Sequence, residues 1–519
     1  MNKKILLGAA ISLASIQVSA LPFAPTDARG MAMGGTGVAS AKTVHSVQYN
    51  PSLLSGGDAS DDFGILLPQI GGYLSDEDEF IDSADEFQQA DYVTPFDNAL
   101  TTIGNALSSV IIDIDDIQTA TDDEDLSALN IATSNLSSST NTLTNGTLNL
   151  TTASSGLTIG LNSLSNKALR GGIGGGAAIA IPSKKFSVAI SANNSTTFSG
   201  KLNVSQNDLN TINGYTNATD AYVNVISDFA TATADFTSAL DDAESAGGGV
   251  TQAQLDALEA ASIALDSANT TLETFQFGTT GGTAGDNIFN NGELVDGADE
   301  LTLNSTVDII AVAISEVALS VSREFTIADR KVAIGLTPKL QRIDVYDYVV
   351  SVNDETDTDS IDDFGVEDTG FNLDIGASTK FGLQEQGTAG VMIKNLIGRD
   401  VVSANGVTVS VSPQIRAGVA YKAYEWIHLA ADLDLTENEP VAFEEATQYA
   451  SFGAEADVFG FLQLRTGFRT NLATSGQDIA SLGFGLSPFS LFHVDIGAYA
   501  NIDNPEKEAG LVFELGLDW

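Results

Sequence analysis

Lys507-Glu-Ala-Gly-Leu-Val-Phe-Glu-Leu-Gly-Leu-Asp-Trp519 is the stretch on which the fold turns. Leu511, Phe513, Leu515, Leu517 and Trp519 share one face at period two, while Val512, Glu514, Gly516 and Asp518 share the other. That period belongs to a strand. Taken alone, it suits the last strand of a soluble sandwich or one wall strand of a membrane barrel. In such a barrel lipid-facing positions are apolar, lumen-facing ones are polar or small, and aromatics sit at the interfaces.

The neighbouring sequence decides between the two. Working back from 507–519, alternating segments recur at 490–501, 478–487, 460–470, 448–457, 426–435, 411–423, 388–396, 369–382, 329–345 and 306–324. Three more, at 184–199, 170–181 and 62–74, bring the count to 14. Taken in order from the N-terminus, every link that follows an even-numbered strand is short. Links after odd-numbered strands are generally longer, and the first two hold large insertions. An even number of antiparallel strands, with short turns on one rim and long loops on the other, describes a bacterial barrel. The expectation is an all-β transmembrane barrel of 14 antiparallel strands over 61–519, carrying two α-helical loop insertions at 75–169 and 200–300.

Alternation also assigns the faces. Ile427, Leu429, Ala431, Leu433 and Leu435 oppose His428, Asp432 and Asp434, and Phe371, Leu373 and Ile375 oppose Asp374 and Lys380. Leu462, Leu464 and Phe468 oppose Arg465 and Arg469; Phe492, Val494 and Ile496 oppose His493 and Asp495. With Arg416 and Glu455, the polar sides carry both signs of charge. Inside a narrow lumen these groups are expected to pair, because an isolated buried charge costs several kcal/mol.

Composition narrows the setting. The 519 residues hold 69 Asp+Glu against 22 Lys+Arg, a formal charge of −47, and no Cys. That balance argues against a nucleic-acid partner, which rewards Lys and Arg, and the missing Cys excludes disulfides and thiol chemistry. Beyond the N-terminus no uncharged apolar run reaches the ~18–20 residues of a spanning helix. Residues 1–20 read as a signal peptide: Lys3 and Lys4, an apolar run from Ile5 to Ile16, then Val18-Ser19-Ala20. Export with cleavage near Ala20 is expected.

Next comes Ala28-Arg-Gly-Met-Ala-Met-Gly-Gly-Thr-Gly-Val-Ala-Ser-Ala41, followed by Tyr49-Asn-Pro-Ser-Leu-Leu54. Its glycines let a chain pack tightly against another backbone. An exported N-terminus bearing Arg29, Gly30, Gly34 and Gly35, then Asn50-Pro51, resembles the FadL/TodX family of outer-membrane channels, and more closely its TraF-like (plasmid conjugal transfer) branch. Ser52 stands where that family usually has Ala. The resemblance implies that 21–60 form a hatch plugging the barrel from the periplasmic side. Resemblance to outer-membrane barrels at large implies that Phe513, Leu515, Leu517 and Trp519 form the signal read by the barrel-assembly machinery. It also implies the outer membrane of a Gram-negative bacterium, with lipid and lipopolysaccharide as neighbours.

In the first insertion Leu100, Ile103, Leu107, Val110, Ile114 and Ile117 step by three and four, as on one face of a helix. Leu129, Leu136, Leu143, Leu150, Leu157 and Leu164 recur every seven residues, a coiled-coil seam with mostly Thr at its other core position. This reads as a helical hairpin, with a disordered Ser/Thr/Asn-rich loop as the alternative over 134–156. In the second insertion Val225, Phe229, Phe236 and Leu240 share a face, Gly247–Gly249 interrupt, and Leu255, Leu258, Leu265 and Leu272 resume helical spacing. Gly171–Gly176 lack the Lys-Ser/Thr of a phosphate loop. The 286–292 run lacks the alternating oxygen ligands of an EF-hand.

Chemistry is sparse. His45, His428 and His493 lie far apart in the sequence, and no nucleophile motif accompanies them. Neither catalytic residues, nor a metal site, nor a cofactor is expected, and the chain is not read as an enzyme. Two functions remain. The family resemblance implies passive uptake of a hydrophobic small molecule through a plugged barrel. The alternative is a conjugation- or secretion-associated scaffold whose helical insertions bind a protein partner.

Overall fold

The computed structural model describes residues 27–56, 63–278, 287–295, 304–327, 329–352, 364–438, 441, 443–488 and 492–518. Both the 1–20 stretch and Trp519 lie outside them. Fourteen strands close into one barrel, each antiparallel to its neighbours in the chain, and the first pairs with the last. They are β1 (Gly64–Ser75), β2 (Ala168–Ile181), β3 (Ser187–Asn203), β4 (Thr306–Ile327), β5 (Arg330–Ser351), β6 (Gly365–Phe381) and β7 (Gly387–Lys394). The circle continues with β8 (Gln414–Tyr424), β9 (Ile427–Asp434), β10 (Tyr449–Val458), β11 (Leu462–Asn471), β12 (Ile479–Leu486), β13 (Phe492–Asn501) and β14 (Glu508–Asp518). The expected 14-stranded antiparallel barrel is therefore the fold.

Closure leaves no open edge, and the alternation does the rest. In β14, Glu508, Val512, Glu514 and Gly516 are buried inward, whereas Leu511 and Phe513 are exposed on the outside. The same apolar exposure continues around the wall through Ile190, Leu319, Leu336, Phe371, Val419, Leu429, Phe452, Leu464 and Leu482. A second feature appears at the short-turn rim, where Phe186, Phe325, Phe381, Tyr424, Trp426, Phe459 and Phe461 are all exposed. Such an outward apolar band, edged by an aromatic girdle, is how a barrel meets a bilayer. No described helix is long and apolar enough to cross a membrane.

Several strands are longer than their alternation suggested. β3, β4 and β5 run on to Asn203, Ile327 and Ser351. Near its far end β5 turns polar outside, where Arg342 reaches Asp344 at 2.8 Å and Glu367 at 3.2 Å. Residue 411, read above as the start of a strand, instead closes a small hairpin of Arg399–Val402 with Thr408–Val411, and β8 begins at Gln414. Period two could not separate these segments, because Pro413 breaks the ladder without breaking the alternation.

The first insertion is helical throughout: α1–α3 being the short hatch helices described below, it holds α4 (Phe80–Ala90), α5 (Val93–Asp122) and α6 (Leu126–Leu164). The second holds α7 (Gln206–Glu244) and α8 (Gln252–Glu273), followed by a three-stranded sheet that includes Asn287–Asn290. All six seam leucines of α6 are buried, and Thr140, Thr147 and Ser154 are buried beside them. Thr133, Thr144, Thr147, Thr151 and Thr152 donate their hydroxyls to carbonyls four residues back, which satisfies them within the helix at a small cost in its stability. The two insertions are not separate hairpins. Ile103, Leu107 and Val110 of α5, Leu136 and Leu143 of α6 and Ile226 and Phe229 of α7 share one core.

Candidate functional site

Asp27–Gly56 lie within the barrel, nearer the short-turn rim, as three short helices: α1 (Ala28–Ala32), α2 (Ser46–Tyr49) and α3 (Leu53–Gly56). Asp27 caps α1 by accepting from Arg29 N at 3.0 Å and Gly30 N at 2.7 Å. Arg29 then reaches the wall and grips Glu455 with two parallel bonds, of 2.8 and 3.0 Å, the geometry in which a guanidinium binds a carboxylate best. A third bond from Arg29, 2.6 Å, goes to the Ser40 carbonyl. Glu455 also accepts from Arg465, which pairs with Asp495. Asp432 takes the backbone N–H groups of Gly37 and Val38 at 2.7 and 2.9 Å, and Arg416 pairs with Asp434. Asn50 donates to the Val38 carbonyl at 2.8 Å, and its side-chain oxygen accepts from Ser52 N and Oγ. The hydroxyl that Ser52 brings is 2.9 Å from Ser378 Oγ on the wall.

The wall meets this segment with a belt of glycines. A side chain added at Gly335 would strike Pro51; at Gly376, Asn50; at Gly390, the Val38 carbonyl; at Gly453, Met33; at Gly467, Gly34 and Met33; at Gly483, Ala32; and at Gly497, the Ala28 carbonyl. Several are cross-strand partners: Gly335 with Gly376, Gly453 with Gly467, Gly483 with Gly497. Gly34 is reciprocal, since its positive φ of +72° suits glycine and any side chain on it would strike the Phe452 and Phe468 carbonyls. Backbone lies on backbone, so the seal needs small residues on both sides.

The opposite end of the lumen is closed differently. The 399–411 hairpin and the described residues of the 435–448 stretch fold into the mouth, where Val401, Val409, Val411 and Val441 pack on Ile310, Val312, Ile343 and Val345. Arg170 holds that loop by donating to the Phe443 carbonyl at 2.6 Å, and Lys201 lies 4.2 Å above the Phe443 ring. Tyr73 donates to Glu444 at 2.8 Å, and Gln477 bridges Glu77 and Glu445.

Between hatch and mouth lie two adjoining chambers of about 140 and 120 Å³ that share Tyr73, Ser195, Thr197 and Glu444. The first is amphipathic. Tyr73, Tyr449, Tyr499, Met31 and Val512 line it, with the Arg469 guanidinium 5.0 and 4.9 Å from the Tyr449 and Tyr499 rings. Glu77 and Glu444 also border it. Burial lifts the Glu77 carboxyl to about 7, helped by the charge of Glu508, and burial lifts Glu444 to about 7 as well. The second chamber is polar: Lys339 there lies 2.9 Å from Glu316 and 3.0 Å from Asp374.

The wall itself is irregular at Pro68. The β1–β2 ladder breaks between Leu66 and Gln69, and the β1–β14 ladder breaks between Leu66 and Ile70. Proline has no N–H to give a ladder. A groove on the outer face at this bulge shares Asn193, Asn194 and Glu316 with the second chamber.

The sequence-derived residues fall as follows. Asp374, Arg416, Asp432, Asp434, Glu455, Arg465, His493 and Asp495 are buried inside the barrel, and Arg469 is nearly so, 2.7 Å from Glu508. Lys380 and His428 are half-buried toward the short-turn rim. Arg29, Gly30, Gly34, Gly35, Asn50 and Pro51 all sit in the hatch. Sequence reading missed Lys339, although it lies on the inward parity of its strand. It also missed the chamber tyrosines and the meeting of His45 with His493 across Glu514, at 2.5 and 3.4 Å. Parity places His493 and Glu514 inside, but nothing local shows that a loop residue 448 positions earlier joins them.

A family described as "F plasmid transfer operon, TraF, protein" matches residues 47–434. No curated protein matches the chain. Among solved structures, the Ralstonia pickettii toluene transporter TbuX is similar with a TM-score of 0.44 and 8% identity, over 96% of this chain and 100% of that one. The Pseudomonas putida toluene transporter TodX gives 0.39 and 9%, over 97% and 98%. The monoaromatic hydrocarbon channel CymD gives 0.40 and 7%, over 96% and 98%.

Proposed function

The chain belongs to the family of the F plasmid transfer operon protein TraF, and from that premise we propose that it is a plugged outer-membrane channel for small hydrophobic molecules, set in the outer membrane of a Gram-negative bacterium. The observation that carries this reading is the amphipathic chamber held between the hatch and the mouth loop. Three tyrosine rings, Met31 and Val512 offer an apolar surface, while Arg469 and the carboxylates give a polar end. Small-molecule sites have this character, mostly apolar with a few convergent polar groups. The ladder break at Pro68, with a groove outside and a chamber inside, supports a path between membrane and lumen.

Passage requires the hatch to yield, and its attachment is non-covalent throughout. Proteoliposomes containing the barrel test the reading through flux of a small uncharged aromatic probe. Wild type should conduct above empty liposomes, removal of 27–56 should raise the flux, and Tyr499→Ala should change its saturation. Equal flux in protein-containing and empty liposomes would reject it.

A specific observation favours a second reading. The insertions build one helical body with its own core, in which the 39-residue α6 alone is about 58 Å long. Transport of a small solute does not need such a body, whereas a scaffold that captures a protein partner does. Deleting 206–273 should leave flux unchanged under the channel reading and abolish partner capture under the scaffold reading.

A further inference from the structure

Where the hatch meets the last two strands, His45, His493 and Glu514 bring one ligand atom each to within 4.8 Å of one another, and all three residues are buried. His45 Nε2 lies 2.5 Å from Glu514 Oε1, and His493 Nε2 lies 3.4 Å from the same oxygen. The imidazole ring centres are 6.2 Å apart. We propose that these three side chains form a binding site for a first-row divalent cation of the Zn²⁺ class, which fastens the hatch to the barrel wall.

Three features support a built site. First, the donor set of two imidazoles and one carboxylate is one that Zn²⁺ takes with a fourth position left open. Ligands at about 2.0–2.2 Å around a tetrahedral ion stand about 3.4 Å apart. The His493–Glu514 separation already has that value, and His45 needs to draw back by less than about 1 Å. Second, the carboxylate is oriented from outside. Glu514 Oε2 accepts from Ala28 N at 3.2 Å, leaving Oε1 for the centre. Such an outer partner fixes a ligand's direction. Asp27 Oδ1, 3.6 Å from His45 Nε2, faces the same centre and adds negative charge beside it. Third, space is reserved. Gly516 is paired with His493, and a side chain on it would strike the imidazole.

Electrostatics points the same way. Two carboxylates, Asp27 and Glu514, and two imidazoles share a pocket with almost no access to water. Buried anions of this kind are retained when they are paired or coordinate a metal. One cation would serve both carboxylates and tie the hatch to the strands that close the barrel.

The test uses the whole protein, extracted in detergent, stripped with a chelator and desalted, then titrated with Zn²⁺ and separately with Co²⁺. Wild type should retain one equivalent of Zn²⁺ through desalting, and Co²⁺ should develop the visible bands of a four-coordinate site. His45→Gln should weaken binding at least about tenfold while the barrel keeps its heat-modifiable mobility. His493→Gln repeats the test from the wall; if that variant fails to fold, His45→Gln on the hatch still decides. Wild type that retains no metal, with its barrel demonstrably folded, would overturn the proposal. So would His45→Gln protein that retains metal as wild type does, since the ion would then sit elsewhere on this acidic chain.

Discussion

Gly467 illustrates how much of this molecule rests on single residues. A side chain there would meet the backbone of Gly34 and Met33, while at Gly200 the nearest heavy atom would be 3.9 Å away. Gly467→Val should therefore expel the hatch and expose 27–56 to protease, whereas Gly200→Ala should not. Mass spectrometry of a timed digest reads the difference, and identical digestion of both variants would contradict the seal. A second residue-scale effect concerns pH. Glu444 and Glu77 have folded values of about 7 against an ordinary 4.5. A carboxyl raised on folding binds its proton more tightly in the folded state, so its contribution is fully present below about 4.5 and is lost as pH rises through about 7. The 435–448 loop should be held at pH 5 and loosened at pH 8. Amide exchange across that loop is the measurement, with faster exchange expected at the higher pH after correction for intrinsic rates. Tyr73→Phe, which removes a hydrogen bond that favours the Glu444 carboxylate, should raise that carboxyl further and widen the difference.

The helices of the insertions show an element whose own chemistry is weak and whose packing is strong. α6 is rich in Ser, Thr and Asn, residues of modest helix propensity. Its stability comes from the leucine seam, where Leu136, Leu143 and Leu150 are completely buried. Leu143→Ala should cost roughly 2–5 kcal/mol, the usual range for a cavity in a core. The loss should fall on the helical body alone, because its core contains no barrel residue. Circular dichroism should show the helical transition moving to lower temperature with heat-modifiable barrel mobility intact. A barrel that melts together with the helices would mean the two parts are one cooperative unit. Ile103, on the facing helix, lies 3.2 Å from where a side chain on Gly146 would stand, so Gly146→Leu should act like Leu143→Ala by overpacking.

At the scale of the molecule, loop parity and the aromatic girdle orient the barrel. Long loops gather on one rim and exposed aromatics on the other, which places the helical body outside the cell and the hatch toward the periplasm when the chain sits in an outer membrane. An epitope inserted at Gly247–Gly249, where added side chains meet open space, should be labelled on intact cells. One inserted in the turn at Phe459–Phe461 should be labelled only after the outer membrane is opened. The opposite pattern would invert the topology.

By itself the sequence determined the number of strands, the place of most of them, their faces and the side of each loop. These follow from period two and from segment spacing, both of which are local. It determined that α6 has a seam, because the leucines repeat every seven residues, yet it could not say what the seam packs against. Only the tertiary structure joined the two insertions into one core, since it sets Thr133 beside Thr237 and Ser154 beside Thr216 and nothing in either segment encodes the other's position. The same holds inside the barrel. Parity put Glu455, His493 and Glu514 in the lumen, but closing the circle was what brought Arg29 to the first and His45 to the other two. The glycine belt was visible only as scattered glycines until neighbouring strands fell into register. A barrel converts distance along the chain into proximity across a wall, and that conversion depends on the relative stagger of fourteen strands, which no local pattern carries.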